Sequence, residues 1–437
     1  MDKQFFVKTL NFIYKGAHSD IFKRFRKVFS VDFLVRGGNF LLVFVFTAIM
    51  TQREFGIYGY LYSFAMMLSG IVGFGFNISL TKSWADLTAQ CQKKKKDMLF
   101  TLTASMSCLL VISMIVIYGT EIDKTFFSLI NGEQASSFDY SKYRLYTAIA
   151  IVSTVFTSYL TYFFVSSEQI KSIQWFNLLR FFLANSAAII IIIVSDKDSV
   201  MLRLSITYST ELLLTIIFGR KLFSKGNFDI PSLKKALKIG LPVMGTAIVS
   251  AVINFGDKYF IMKYCGVEQF AVYNLALLIA MILFIVFQSF NFIWLPLFMK
   301  EKNLLVQHKR VKRFTAIIFI SFVVLSVLIW LGVSLMLRIG ILKTQYEGIL
   351  VILPPLLASQ IAISLAQLYI NYMTYFEKTH VQFAFGALLS VVAVVLYYFS
   401  VKEFAVMGIC ISLLFVNVLS FVLYFVRSKR YILNQLK

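Results

Sequence analysis

Charge is scarce in this sequence. Only 15% of its 437 residues are charged, 59% are hydrophobic, and the mean hydropathy is +0.78. Soluble domains carry about 25% charged and about 45–50% apolar residues, so a water-soluble globular protein is excluded. Cysteine and histidine are sparse as well. The four cysteines (91, 108, 265, 410) and three histidines (18, 308, 380) lie far apart, and no disulfide framework, zinc site or haem site is readable from them. No cofactor and no metal is expected. A GxxxxGK(S/T) phosphate loop is absent, which excludes ATP hydrolysis by that route. No segment between apolar runs exceeds about 28 residues, and the longest external one is 120–144. That leaves no room for a soluble catalytic domain. Clustered Ser/His/Asp and paired carboxylates are missing outside the runs, so no catalytic residue is assigned and no enzyme is expected. The N-terminus lacks the short apolar core and cleavage site of a secretory signal peptide.

Long apolar runs dominate what is present. A bilayer core takes about 20 apolar residues per helix. Twelve runs meet that need: 29–50, 57–80, 98–119, 145–167, 175–194, 200–219, 241–264, 271–293, 314–337, 348–371, 380–399 and 404–426. Spanning segments must satisfy their own backbone hydrogen bonds, and strands alternating over about 10 residues are not seen. The expected fold class is therefore all-α integral membrane, with twelve transmembrane helices.

The formal charge is +22, from 43 Lys plus Arg against 21 Asp plus Glu. The basic residues sit between apolar runs, which points to anionic lipid headgroups or an anionic substrate in the membrane, not to nucleic acid. Segments on the side of the N-terminus hold 30 Lys/Arg and the opposite side holds nine. This bias predicts that both termini are cytoplasmic. Residues 1–28 interleave Phe5, Phe6, Leu10, Ile13, Phe22 and Phe25 with Lys8, Lys15, Lys23, Arg24, Arg26 and Lys27. The pattern predicts an amphipathic segment lying in the cytoplasmic interface.

A short repeat divides the chain. Glu54-Phe55-Gly56-Ile57-Tyr58 matches Gln269-Phe270-Ala271-Val272-Tyr273 at an offset of 215 residues. Each segment follows one run and leads into another. The expected organisation is a six-helix lobe at 29–219, a basic linker at 220–240, a second six-helix lobe at 241–426 and a tail at 427–437. Six spans per lobe put both lobes in the same orientation, related by a pseudo-twofold axis along the membrane normal, with a substrate site between them.

Polar residues inside the runs are the candidate site. Asp32, Arg36 and Asn39 share one face at i, i+4, i+7. Gly70, Gly73 and Asn77 share another. Arg203, Thr207, Glu211 and Thr215 follow at strict i+4 spacing. Ser250, Asn254, Asp257 and Lys258 line a fourth stripe, and Gln360, Ser364, Gln367 and Asn371 a fifth. Arg180 is the remaining cation within a run. A charge at the bilayer centre costs about 2.5–3.5 kcal/mol on insertion scales, so these residues are expected to face water or a partner. Structural alternatives stay open. Arg36 has Asp32 within reach, Arg180 and Arg203 are near enough to run ends to snorkel, and Glu211 has Arg203 or Arg180 as a local partner. Gly70 and Gly73 suit helix packing, and the Gln360–Asn371 stripe suits interhelical hydrogen bonds.

With these residues in view, the whole chain resembles the Wzx-type O-antigen and capsule flippases of the MATE-like MOP superfamily. Gly240-Leu241-Pro242, Asp257-Lys258-Tyr259-Phe260-Ile261, Gly266 and Phe270-Ala271-Val272-Tyr273-Asn274-Leu275-Ala276 carry the resemblance, with Trp294, Pro296, Arg53–Tyr58 and Gly73–Asn77. Lys258 stands where the family more often has Arg, and Ala271 where it has Gly. The resemblance implies a bacterial inner-membrane protein that moves an undecaprenyl-diphosphate-linked oligosaccharide to the outer leaflet by alternating access. It implies membrane lipids, H+ or Na+ as coupling ion, and a polysaccharide polymerase or chain-length regulator as partners. Arg36, Arg180, Arg203 and Lys258 would meet the diphosphate, because phosphate favours cationic and bidentate donors. Asp32, Asn39, Asn77, Glu211, Asn254, Asp257, Gln360 and Gln367 would supply cavity polarity or coupling. Two rivals remain, a MATE-type exporter of amphipathic cations and a membrane-embedded polymerase or ligase.

Overall fold

The computed structural model describes residues 20–86, 92–130, 138–195, 197–301, 303–376 and 378–436. Twelve helical elements follow in chain order: α1 (Asp20–Ile49), α2 (Gln52–Val72), α3 (Phe76–Asp86), α4 (Gln92–Gly119), α5 (Ile122–Ile130), α6 (Arg144–Ser166), α7 (Ile170–Val194), α8 (Ser199–Phe218), α9 (Ile230–Lys300), α10 (Leu304–Arg338), α11 (Ile349–Tyr375) and α12 (Thr379–Leu436). No strand occurs among the described residues.

Helices and spans do not correspond one to one. Among the described residues, nine helices are long and apolar enough to cross a membrane, against twelve runs in the sequence. Two of the nine are hairpins. Helix α9 breaks at Gly266, whose φ of 84° favours glycine, and the Tyr273 hydroxyl returns to donate to Asp257 Oδ2 at 2.5 Å. Helix α12 reverses at Ala405, at φ 48°, which brings Phe385 against Tyr424 with ring centroids 5.3 Å apart. The first run lies in α1, where the described apolar stretch is the short Gly37–Ile49. The run at 57–80 is itself divided between α2 and α3.

Local chemistry sets these boundaries. Thr51 begins α2 with a capping box: its hydroxyl accepts from the Glu54 backbone N–H at 3.2 Å, and Glu54 Oε2 accepts from the Thr51 N–H at 2.8 Å. The same helix stops where Phe74 and Gly75 take φ values of 48° and 63°. Glycine is required at 75, since a Cβ there would lie 2.7 Å from the Gly240 carbonyl oxygen. The segment before α9 is tied to the first lobe. Asn227 N–H donates to Asp97 Oδ1 at 2.7 Å, and Asp229 N–H to the Thr101 hydroxyl at 2.8 Å.

The repeat appears as direct contact. Residues 215 apart face one another along α2 and the second arm of α9. Arg53 pairs with Glu268 at 3.2 Å. A Cβ on Gly56 would sit 3.2 Å from Ala271 Cβ, and one on Gly59 would sit 2.3 Å from Asn274 Nδ2. Facing repeat mates are what a pseudo-twofold axis along this seam would produce. Within the second lobe, polar pairs join the helices. Asn417 Nδ2 donates to Ser359 Oγ at 2.7 Å, and Asn371 Nδ2 to Asn291 Oδ1 at 3.1 Å.

Candidate functional site

The two lobes are closed together at one end, here called the outer face for its low content of basic residues. Tyr60 and Phe64 of α2 meet Phe255 of α9 at 5.3 and 6.1 Å, and Tyr60 meets Phe270 at 5.6 Å. The short helix α5 adds a wedge. Its Phe126 touches Phe64, Phe255 and Tyr259 at 5.3–6.1 Å, and Phe127 lies 4.9 Å from Phe64 and 3.8 Å from Tyr140 in a parallel stack. Each such ring pair stabilises the contact by about 0.5–1.5 kcal/mol beyond area burial. Arg144 clamps α5 in place. Its Nε donates to Asp123 Oδ2 at 2.7 Å and its Nη2 to Asp123 Oδ1 at 3.0 Å and to the Tyr118 carbonyl, and the Asp123 side chain is fully buried.

Inside the first lobe, cations and rings gather along α2, α7 and α8 in a track. Arg180 sits where α7 loosens into a π-helical turn at Arg180–Ala184, a feature frequent at functional sites. Its Nε lies 3.6 Å from Glu211 Oε1 of α8, with the two side chains 30% and 16% exposed. Tyr62 lies on α2, one turn beyond Tyr58. It stacks on Tyr58, with rings 6.2 Å apart and tilted by 13°. Arg203 completes the track. Its guanidinium lies 3.4 Å from the Phe46 ring centre and 3.6 Å from that of Tyr58. A desolvated cation–π contact is worth about 2 kcal/mol or more, so the rings hold a charge that lipid would reject.

A second cluster lies on the first arm of α9. Asp257 is 2% exposed. Lys258 Nζ lies 3.2 and 3.3 Å from its carboxylate oxygens and donates to the Asn254 carbonyl at 2.6 Å. The lysine thus folds back along its own helix, and the carboxylate is shared between Lys258 and the Tyr273 hydroxyl.

The sequence candidates fall into several places. Arg180 and Glu211 come together, as do Asn254, Asp257 and Lys258. Arg203 shares α8 with Glu211 and is held by Phe46 and Tyr58. Asn77 lines a separate pocket of the first lobe. Asn39 is exposed, Gln360 is buried within α11, and Gln367 is half-buried on the same helix. Asp32 and Arg36 fall in α1, but their side chains lie outside the described residues, as do residues 1–19 of the amphipathic segment. Sequence reasoning missed Tyr58, Tyr62 and the α5 wedge. The i, i+4 spacing of the tyrosines and of Met66 and Gly70 was available as a signal. The π turn had none.

The architecture defines a class. It superposes on an inward-facing multidrug resistance MATE family transporter of the MOP superfamily with a TM-score of 0.67 and 15% identity, covering 91% of this chain and 98% of that one. Lipid II flippase MurJ in an inward closed conformation gives 0.67 and 14%, covering 92% and 87%. A MOP superfamily transporter from Pyrococcus furiosus gives 0.55 and 12%, covering 94% of each. These likenesses establish the fold alone, one shared with these transporters, and the nine long apolar helices among the described residues mark a multi-pass membrane protein. No protein with curated function matches the sequence. The family model described as polysaccharide biosynthesis protein matches residues 27–302, and the chain belongs to that family.

Proposed function

We propose that this protein is a flippase that carries an undecaprenyl-diphosphate-linked oligosaccharide from the cytoplasmic to the outer leaflet for surface polysaccharide synthesis. Two lobes alternate access around a site between them. The observation that carries the reading is the Arg180–Glu211 pair at bilayer depth beside the Tyr62–Tyr58–Arg203 track, in a chain of a polysaccharide family. A pyrophosphate competes for a guanidinium that is only loosely held at 3.6 Å. A protein sealed for lipid contact alone has no use for that charge. The hydroxyls and amides of the track and of Asn77 suit sugars, and the lipid tail stays in the bilayer at the lobe junction.

In this reading Arg36 and Arg180 meet the diphosphate near the cytoplasmic leaflet. Arg203 and Lys258 receive it towards the outer leaflet, where binding needs the Phe46–Tyr58 clamp and the Asp257 contact to loosen. Asp32, Glu211 and Asp257 balance these charges when the site is empty, and a coupling H+ or Na+ neutralises one of them during return. The closed aromatic face corresponds to the state that loads from the cytoplasm. Opening it requires α5 to leave the seam. The protein performs no covalent step.

Chromosomal deletion tests the reading. A cell lacking this protein is expected to accumulate lipid-linked single repeat units on the cytoplasmic face and to lose surface polysaccharide. Single units exposed outside would instead mark a polymerase or ligase. Altered drug susceptibility with intact polysaccharide would mark an exporter.

A further inference from the structure

A cavity of about 320 Å3 opens in the first lobe between α2, α3, α4 and α6, apart from the charged track. Ser69, Gly70, Asn77, Thr154, Ser158 and Tyr159 give it its chemistry, and Met66, Met106 and Val155 supply apolar faces. Among the described residues, no Lys, Arg, His, Asp or Glu lines it. The glycine at 70 makes the room, since a Cβ there would meet no atom within 4 Å. Several polar groups are unspent. Ser69 bonds back to the Met66 carbonyl at 2.8 Å, Asn77 Oδ1 accepts from the Ile78 N–H at 2.8 Å, and Tyr159 accepts from Thr103 at 3.4 Å. Thr154, Ser158 and the Asn77 amide nitrogen have no hydrogen-bond partner among the described residues, although they face the cavity. All three side chains are half-buried, so a ligand entering the cavity can reach them.

The position is as informative as the lining. Tyr62, Met66 and Gly70 follow at i+4 on one stripe of α2, so the cavity, which Met66 and Gly70 line, begins about 6 Å down the helix from Tyr62. That direction leads from mid-membrane towards the face rich in basic residues. A lipid-linked headgroup loading from that face has its parts in the same order, with tail, diphosphate and then sugars. The floor of the cavity is the α2–α3 break, where Gly75 packs on Gly240 of α9.

We propose that this cavity is a subsite for one uncharged sugar of the transported headgroup, bound through Thr154, Ser158 and Asn77 while Arg180 holds the diphosphate. The inference rests on the flippase reading and adds a specificity to it. A neutral pyranose matches unbonded hydroxyl and amide groups with its own hydroxyls, and its C–H face suits Met66, Met106 and Val155. A uronic acid would bring a carboxylate to a place that no cation among the described residues lines, and is disfavoured.

The test measures binding of two probes to the full-length protein in nanodiscs: bare polyprenyl diphosphate, and polyprenyl diphosphate bearing one N-acetylglucosamine. The wild type is expected to prefer the sugar-bearing lipid by about tenfold, the worth of one or two hydrogen bonds. Thr154→Val with Ser158→Ala, which keeps the shape, is expected to remove most of that preference and leave the affinity for bare lipid within about twofold. Gly70→Leu, which fills the cavity, is expected to do the same. A wild type that binds both lipids equally, or variants that keep the preference, overturn the subsite alone. A wild type that binds neither lipid overturns the flippase reading and the subsite with it.

Discussion

Replacing Arg180 and Glu211 singly and together separates a structural pair from a substrate-binding one. Two unit charges 3.6 Å apart attract by about 1 kcal/mol at the dielectric constant of water and by about 4–5 kcal/mol at an effective constant of 20. The side chains are 30% and 16% exposed, so solvent screens the pair part of the way, and roughly 1–2 kcal/mol is the reasonable range. Arg180→Gln leaves a carboxylate unmatched at bilayer depth, and Glu211→Gln leaves a guanidinium. Each single variant is expected to lower the melting midpoint in detergent by a few degrees. The double variant leaves no charge stranded and is expected to recover at least half of that loss. Transport should not follow stability. Arg180→Gln and the double variant are both expected to lose surface polysaccharide at matched protein abundance, because the donor for the diphosphate is gone from both. The assay pairs a thermal melt with quantification of cell-surface glycan. If the double variant regains both stability and glycan, Arg180 serves only Glu211, and the substrate role assigned to it is wrong.

Other expectations follow from the seam and the clamp. Arg144→Ala exposes no alternative donor to the buried Asp123 carboxylate and is expected to destabilise the protein by about 3–5 kcal/mol. Arg144→Lys rescues little, because a point charge cannot replace the fork, and both are read from thermal melts. Gly59→Leu overpacks the contact with Asn274 and is expected to cost the closed outer face about 1–3 kcal/mol, seen as faster thiol labelling of a cysteine placed at Phe64. Arg53→Ala removes a half-exposed pair, so a stability change below about 1 kcal/mol is expected, shrinking further in high salt. Asp257→Asn weakens the hold on Lys258 and Tyr273 and is expected to reduce transport more than stability, with loss of any dependence on the coupling-ion gradient.

Much of the architecture was legible because the bilayer imposes long apolar helices, and hydropathy reads those directly. The Gly266 turn was also legible, since few other residues accept its backbone. The reversal near Ala405 was legible as the gap between the runs 380–399 and 404–426, although alanine itself gives no sign of a positive φ. Five residues of repeat at an offset of 215 were a faint signal, yet Arg53–Glu268, Gly56–Ala271 and Gly59–Asn274 turned it into facing contacts. The candidate site was half legible. Mid-membrane charge marked Arg180 and Glu211, but two partners for Glu211 were open until α7 and α8 were packed. Arg203 read both as a snorkelling end residue and as a diphosphate donor, and only the fold brings Phe46 and Tyr58 against its guanidinium. The α5 wedge lay hidden in a loop known by its length, since nine residues of amphipathic helix carry no membrane-span signal.

Reconstitution measures lipid translocation directly. Proteoliposomes holding the purified protein and a fluorescent polyprenyl-diphosphate-linked oligosaccharide report leaflet exchange through a membrane-impermeant quencher. Protein-dependent exchange is expected for the wild type, at least about tenfold slower for Arg180→Gln if one charge-assisted contact is lost. Exchange of a cationic dye without movement of the lipid-linked glycan would contradict the account.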